Sequence, residues 1–253
     1  MASVTRSSRY LLVVFTVGLL ALHAGAGEVL FMGQAGVLGN TDPLVIARIE
    51  ALGHTVTFVE HDDAAAWAAA LPTADLVLIS STTSSDTGVA TIGGGNVVRD
   101  LAIPLMCFED YVYDEMQTLP SFGNAVGTQV TIANDAHPLA GGLSAGLVTV
   151  YTSPVRINHG SALSGAGGGA VAIATVNAGA NAPILYYDTG DPLVDGTLAP
   201  APRLNFFLHD DTFDDLTPDG LKLFDAAIGH MIPEPLSVTL LAVGALAILR
   251  RRR

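Results

Sequence analysis

Apolar residues in the first half of the chain fall in short, almost unbroken runs, and the stretches between them have helical spacing. Glu28-Val-Leu-Phe-Met32 reads as a strand stopped by Gly33. Residues 44–52 read as a helix, with Asp42 as N-cap, Pro43 at the first position and Gly53 as the stop. A second strand over 54–59 and a second helix over 62–71, capped by Asp62 or Asp63, repeat the unit. Residues 75–79 form a third strand. After a hydroxyl-rich loop, a short helix closes with 97–101, and residues 103–108 are the fourth strand. Strands that are apolar almost throughout, separated by helices, predict a parallel sheet covered on both faces. The right-handed crossover rule then makes the fold α/β and doubly wound.

The second half is richer in strands, predicted at Gln129–Ile132, 147–151, 170–176 and 183–187. A final helix starts at Thr217 or Pro218 and runs to Met231, with Asp219 in its positive first turn. The glycine-rich residues 161–169 are a loop or a hairpin.

Both ends depart from this pattern. Arg6 and Arg9 precede an apolar run over 10–22, and Ala24-Gly25-Ala26 follows as a small-x-small site. That order is a secretory signal peptide cut after Ala26 by signal peptidase; a first transmembrane helix would need a longer run. At the other end, Ile232-Pro233-Glu234-Pro235 leads into an apolar segment, 236–249, and then Arg250 to Arg253. Four arginines stay on the cytoplasmic side, so the segment stops in the membrane with Pro233 outside. As a helix it is roughly 20 Å long against a hydrocarbon core of about 30 Å, a marginal and temporary anchor.

This tail resembles the PEP-CTERM sorting signal. The resemblance implies that an exosortase, a membrane protease-transpeptidase, recognises Pro233, Glu234 and Pro235 and removes the tail. It also implies export to the envelope or extracellular matrix of a Gram-negative bacterium that makes exopolysaccharide. The chain then divides into a signal peptide (1–26), a globular body (27–231) and a sorting tail (232–253).

Composition narrows the partners. Without both ends, the eleven basic residues fall to five and the twenty-four carboxylates to twenty-three, a net charge of about −18. Nucleic acid and anionic membranes are excluded as partners for such a body, whereas cations, neutral sugars or other envelope components fit. The lone cysteine, Cys107, rules out an internal disulfide, so packing must hold the exported domain together.

The body looks like the flavodoxin-like sheet of class I glutamine-amidotransferase-like domains, including the trehalose-utilisation-like branch. The likeness rests on Leu52-Gly-His54 before strand two, the third strand ending in Ser80, and His137-Pro-Leu-Ala140. Arg203-Leu-Asn-Phe-Phe-Leu-His-Asp210 followed by Asp219-Gly-Leu-Lys-Leu-Phe224 adds to it. It implies a flavodoxin-like doubly wound sheet with additional strands in the C-terminal half.

In such a sheet, ligands meet the loops beyond the strands' carboxyl ends. The loop from Gly33 to Asp42 contains Gly39-Asn40-Thr41 before a helix, but Gln34 and Ala35 stand where a phosphate loop would carry hydroxyls. It reads as a tight turn, and no cofactor is expected. Six hydroxyls from Ser80 through Ser81 to Ser85 suit a polar ligand such as a sugar, and are also ordinary loop material. Cys107 lacks the flanking glycines of an amidotransferase nucleophile elbow and lies inside an apolar strand, so it reads as inert. Glu109 follows that strand, with Asp110, Tyr111, Tyr113 and Asp114 around it. Carboxylates beside aromatic faces suit a sugar or a divalent cation; alternatively, Glu109 caps the next helix. His209-Asp-Asp211 supplies hard oxygens and an imidazole, yet it also precedes a helix, where aspartates are favoured anyway. There is no His-x-x-x-His pair, and no metal site is assigned.

Two ligand-directed functions follow, beside a purely structural matrix role that would leave no concave pocket at this edge. The first is an exported, exosortase-processed module that binds without catalysis, through Ser81, Glu109, Asp110, Tyr113, Asp114, His209 and Asp211. The second is a secreted hydrolase of sugar or amide bonds, in which Glu109, His209 and Asp210 or Asp211 converge. The hydrolase requires Glu109 within hydrogen-bond reach of a histidine, directly or through one water.

Overall fold

The structure, a computed structural model, describes residues 26–232. The predicted signal peptide up to residue 25, Pro233-Glu234-Pro235, and the apolar and basic segments after it lie outside the described residues. No helix among the described residues is long and apolar enough to cross a membrane.

In chain order the strands are β1 Glu28–Gly33, β2 Thr55–Glu60, β3 Leu76–Ile79, β4 Leu105–Cys107, β5 Asn124–Gly127 and β6 Gln129–Ile132. They continue with β7 Gly146–Thr149, β8 Val155–Asn158, β9 Val171–Val176, β10 Asn181–Tyr187 and β11 Arg203–Phe206. The helices are α1 Asp42–Ala51, α2 Ala64–Ala70, α3 Ser85–Thr91, α4 Gly95–Asp100 and α5 Pro218–Met231.

Nine strands form one sheet in the order β2-β1-β3-β4-β11-β10-β9-β6-β7. The first five pair in parallel, in the flavodoxin-like order, with β11 as the fifth strand. The last four add antiparallel. The chain is therefore α/β with a flavodoxin-like doubly wound sheet and extra strands in its C-terminal half.

Alternation along the parallel strands builds a core on each face. Val29, Phe31, Leu76, Leu78, Met106 and Leu204 pack with α1 and α5. Leu30, Met32, Val77, Ile79, Leu105 and Cys107 pack with Trp67 of α2, Val89 of α3 and Val98 of α4. Both faces are covered, which is why these strands read as continuous apolar runs. At β6 the cover ends, and Val130 and Ile132 point inward while Gln129 and Thr131 are exposed.

Several local expectations are corrected, and two left with alternatives, the cap of α2 and the form of residues 161–169, are resolved. Thr41, not Asp42, occupies the N-cap position of α1; Asp42 opens the helix and its carboxylate is buried. The segment after the hydroxyl run holds two helices, because the Ser84 side chain accepts from Thr87 N–H and starts α3 at once. The cap of α2 is Asp63, accepting from Ala66 N–H at 2.9 Å. Residues 161–169 are a loop containing one short 3-10 turn. Strands β5, β8 and β11 were not anticipated.

The described body begins and ends at one edge. A side-chain carbon placed on Gly27 would meet Ile232, just after α5. This is the amino edge of β1, opposite the carboxyl ends of the parallel strands.

Candidate functional site

The carboxyl ends of β1, β3, β4 and β11 meet at one edge of the sheet, and polar groups gather there. At the switch point between β1 and β3, the buried Asp42 carboxylate accepts from Ser80 Oγ at 2.6 Å and from Thr82 Oγ1 at 2.8 Å. Thr82 Oγ1 also accepts from Gln34 N–H at 2.9 Å, which holds the β1 loop down. Burial raises the Asp42 pKa above the usual carboxylate range, against those hydroxyl donors. Much of the hydroxyl run is thus used inside the fold; Ser81 is the one joined to Glu109, donating to Oε2 at 3.3 Å.

Glu109 leaves β4 and is 7% exposed. Its Oε1 accepts from Tyr111 N–H at 3.1 Å, so it caps the short turn Asp110–Val112, as one of the two readings held. Burial pushes its carboxyl up to about 7, against the Tyr111 and Ser81 bonds. In its protonated form it can donate as well as accept.

The next residue, Asp110, is completely buried and bonded to Arg156 Nη2 at 2.8 Å, while its Oδ2 has no partner among the described residues. Burial raises its pKa despite Arg156. Arg156 arrives on the β5–β8 antiparallel ribbon. That ribbon is docked by Asn158, whose Nδ2 donates to Phe108 O at 2.8 Å and Leu208 O at 3.1 Å, tying the ends of β4 and β11.

Beyond β11, His209 Nδ1 contacts the carboxylates of Asp210 and Asp211, the latter at 2.8 Å. Burial works to lower the His209 pKa, but these two bonds prevail and hold it above its ordinary value. The loop is fixed by Thr41, whose N–H and hydroxyl both donate to Asp210 O, at 2.7 and 2.8 Å. His209, Asp210 and Asp211 could each offer one ligand atom to a cation, all within 4.8 Å of one another. In this arrangement His209 Nδ1 lies between the two carboxylates. His209 influences Asp110, and Arg156 influences His209, so the β4 and β11 groups form one electrostatic cluster.

Of the residues anticipated for binding, Ser81, Glu109, Asp110, His209 and Asp211 lie at this edge. Tyr113 does not: it is buried in the core, its hydroxyl donating to Phe206 O at 3.4 Å, and no ligand can reach it. Asp114 faces a separate polar cavity of about 550 Å³ with Gly94, Asn96, Arg99 and Glu115. There, burial and the Asp114 carboxyl push Glu115 up to about 7. Asp110 is closed off behind Arg156 and acts by positioning it. Cys107 is buried, its thiol donating to Glu109 O at 3.3 Å, and burial pushes its pKa well up; it is no nucleophile.

Sequence reasoning missed Asp42, Arg156 and Asn158. A signal existed for one of them. A body with only five cations has few to spare, and Arg48, Arg99, Arg156 and Lys222 each pair with an aspartate.

Glu109 bonds to Ser81 and Tyr111, and no hydrogen bond among the described residues joins it to a histidine. The edge thus presents hydrogen-bonding groups from the loops after β3, β4 and β11. No family model matches the chain, and no curated protein matches it.

Proposed function

We propose that the chain is an exported PEP-CTERM protein whose amidotransferase-like body binds an envelope or extracellular-matrix ligand, such as exopolysaccharide, without catalysis. Signal peptidase removes residues 1–26 and exosortase acts at Pro233-Glu234-Pro235. The C-terminal segment holds the chain in the inner membrane only until that cut.

The observation that carries the binding role is the polar cluster of Glu109, Ser81, Arg156 and His209 at the edge opposite Gly27 and Ile232. The donors and acceptors are mixed, the strong charges are paired within the protein, and the one thiol is buried, which suits reversible capture.

A hydrolase of sugar or amide bonds is the second reading. It is favoured by Glu109, whose raised pKa is that of a general acid. Glu109 has no direct hydrogen bond to a histidine among the described residues, so this reading needs a bridging water.

Sorting is tested by deletion. Removing Pro233 to Arg253 is expected to release most of the protein from cells into the medium, read by fractionation and blotting. Retention equal to the full chain would contradict a sorting role.

A further inference from the structure

We propose that Tyr111 and Phe122 form a stacking platform for the ring of a neutral saccharide, beside Glu109. This rests on the carboxyl edge being the ligand site.

The two rings lie 4.0 Å apart at 23°, and the residues are 43% and 48% exposed. Other exposed large apolar residues include single aliphatic side chains such as Leu38 and Leu198, and Phe58 stacks on the core residue Phe31. An exposed aromatic pair stands out against that background.

Both rings are mounted on fixed backbone. Tyr111 N–H bonds the Glu109 carboxylate, so ring and acid share one turn. Phe122 is clamped on both sides: Ser161 N–H donates to Ser121 O at 2.8 Å, and His159 and Gly160 N–H both donate to Gly123 O at 2.9 Å. Gly123 admits no side chain, since a Cβ there would sit 2.5 Å from Gly160 O. The clamp immediately follows β8, which brings Arg156 and Asn158. One rigid frame thus carries the aromatic faces and the hydrogen-bonding groups.

Charge chooses the ligand. Asp110 pairs with Arg156 at 2.8 Å, which leaves the guanidinium engaged within the protein, and His209 bridges Asp210 and Asp211. The body as a whole repels anions. A pyranose ring satisfies both surfaces: its C–H face covers an aromatic ring, and its hydroxyls bond Glu109 and Ser81 at the edge.

The test is calorimetric titration of the full chain with cellohexaose, maltohexaose and mannohexaose, with hexagalacturonate and choline as charged comparisons. At least one neutral hexaose is expected to bind. Tyr111→Ala and Phe122→Ala should each weaken it roughly 3- to 10-fold, with the urea midpoint unchanged, and Tyr111→Phe should restore it. Binding that ignores both alanine variants but falls in Glu109→Gln would overturn the platform and leave the site. Binding indifferent to all three would overturn both. Failure of every neutral hexaose, or preference for hexagalacturonate or choline, would overturn the ligand class.

Discussion

Replacing Arg203 by methionine is expected to destabilise the protein by about 3–5 kcal/mol, the largest single-residue effect foreseen here. Arg203 opens β11 and is completely buried, without a carboxylate partner among the described residues. Its Nη1 donates to the carbonyls of Ile103, Ala201 and Pro202 at 3.0–3.2 Å, and its Nη2 to those of Arg99 and Leu101. Those carbonyls belong to the end of α4, the approach to β4 and the approach to β11. The guanidinium therefore holds together the segments that let β4 and β11 pair in parallel, with Arg203 opposite Leu105. Burial lowers its pKa to about 10, so it stays charged at neutral pH, solvated by backbone dipoles. Methionine fills the volume but leaves several buried acceptors without donors. Lysine brings one nitrogen with three donors and should recover less than half of the loss. Urea unfolding gives the value; a loss below about 1 kcal/mol would show that the carbonyls find other partners.

Arg156→Met should be nearly as severe, and its cost should depend on pH. Without the guanidinium, Asp110 is a buried carboxyl with no hydrogen-bonded cation. Its folded pKa, already raised by burial, rises further. The folded state then holds the Asp110 proton more tightly than the unfolded chain, so stability falls as pH rises through that interval. The penalty is absent below the unfolded carboxylate pKa of about 3.9 and complete above the raised folded value. A loss of about 3 kcal/mol is expected at pH 8, shrinking as the pH is lowered. Adding Asp110→Asn should recover much of it and flatten the profile. Urea midpoints at pH 8 and pH 5 for the wild type, the single variants and the double variant check this. A loss that is the same at both pH values, and that adding Asp110→Asn does not relieve, would mean that Arg156 acts through packing alone.

How much could be read beforehand follows the physics of each element. Strands β1, β3 and β4 are buried on both faces, so their apolar runs were visible; the edge strand β2 showed itself through Val56, Phe58 and Val59, and helix α5 declared itself through Thr217, Pro218 and Asp219. The fifth parallel strand was hidden because β11 begins with Arg203 and has Asn205 inside it. Both are buried polar residues, bonded to carbonyls and to Thr118 respectively, with Arg203 Nε and Asn205 Nδ2 left without a partner among the described residues. Nothing in a one-dimensional pattern distinguishes them from loop residues. The β5–β8 ribbon was hidden for another reason. Its strands have four residues each, with no clean apolar alternation, and they are held by pairing and by Asn158.

The site was half legible on the same grounds. Glu109, Ser81 and His209 follow strand ends and could be placed by topology. Tyr113 sits only four residues beyond Glu109, but the short turn that Glu109 caps directs its ring into the core. Asp42 looked like a helix cap because local spacing favours that role; the donors that claim its carboxylate come from Ser80 and Thr82, nearly forty residues away. Arg156 and Phe122 reach the edge through long-range pairing alone.

The most direct test of the central claim is an amide NMR titration of the full chain in detergent with the best-binding neutral hexaose, following protein and sugar signals together. Binding without catalysis at the carboxyl edge predicts shifts concentrated at Ser81, Glu109 to Tyr111, Phe122 and His209 to Asp211, while the sugar's anomeric signals persist unchanged. Shifts confined to the cavity of Asp114 and Glu115, or the appearance of new reducing-end signals, would contradict it.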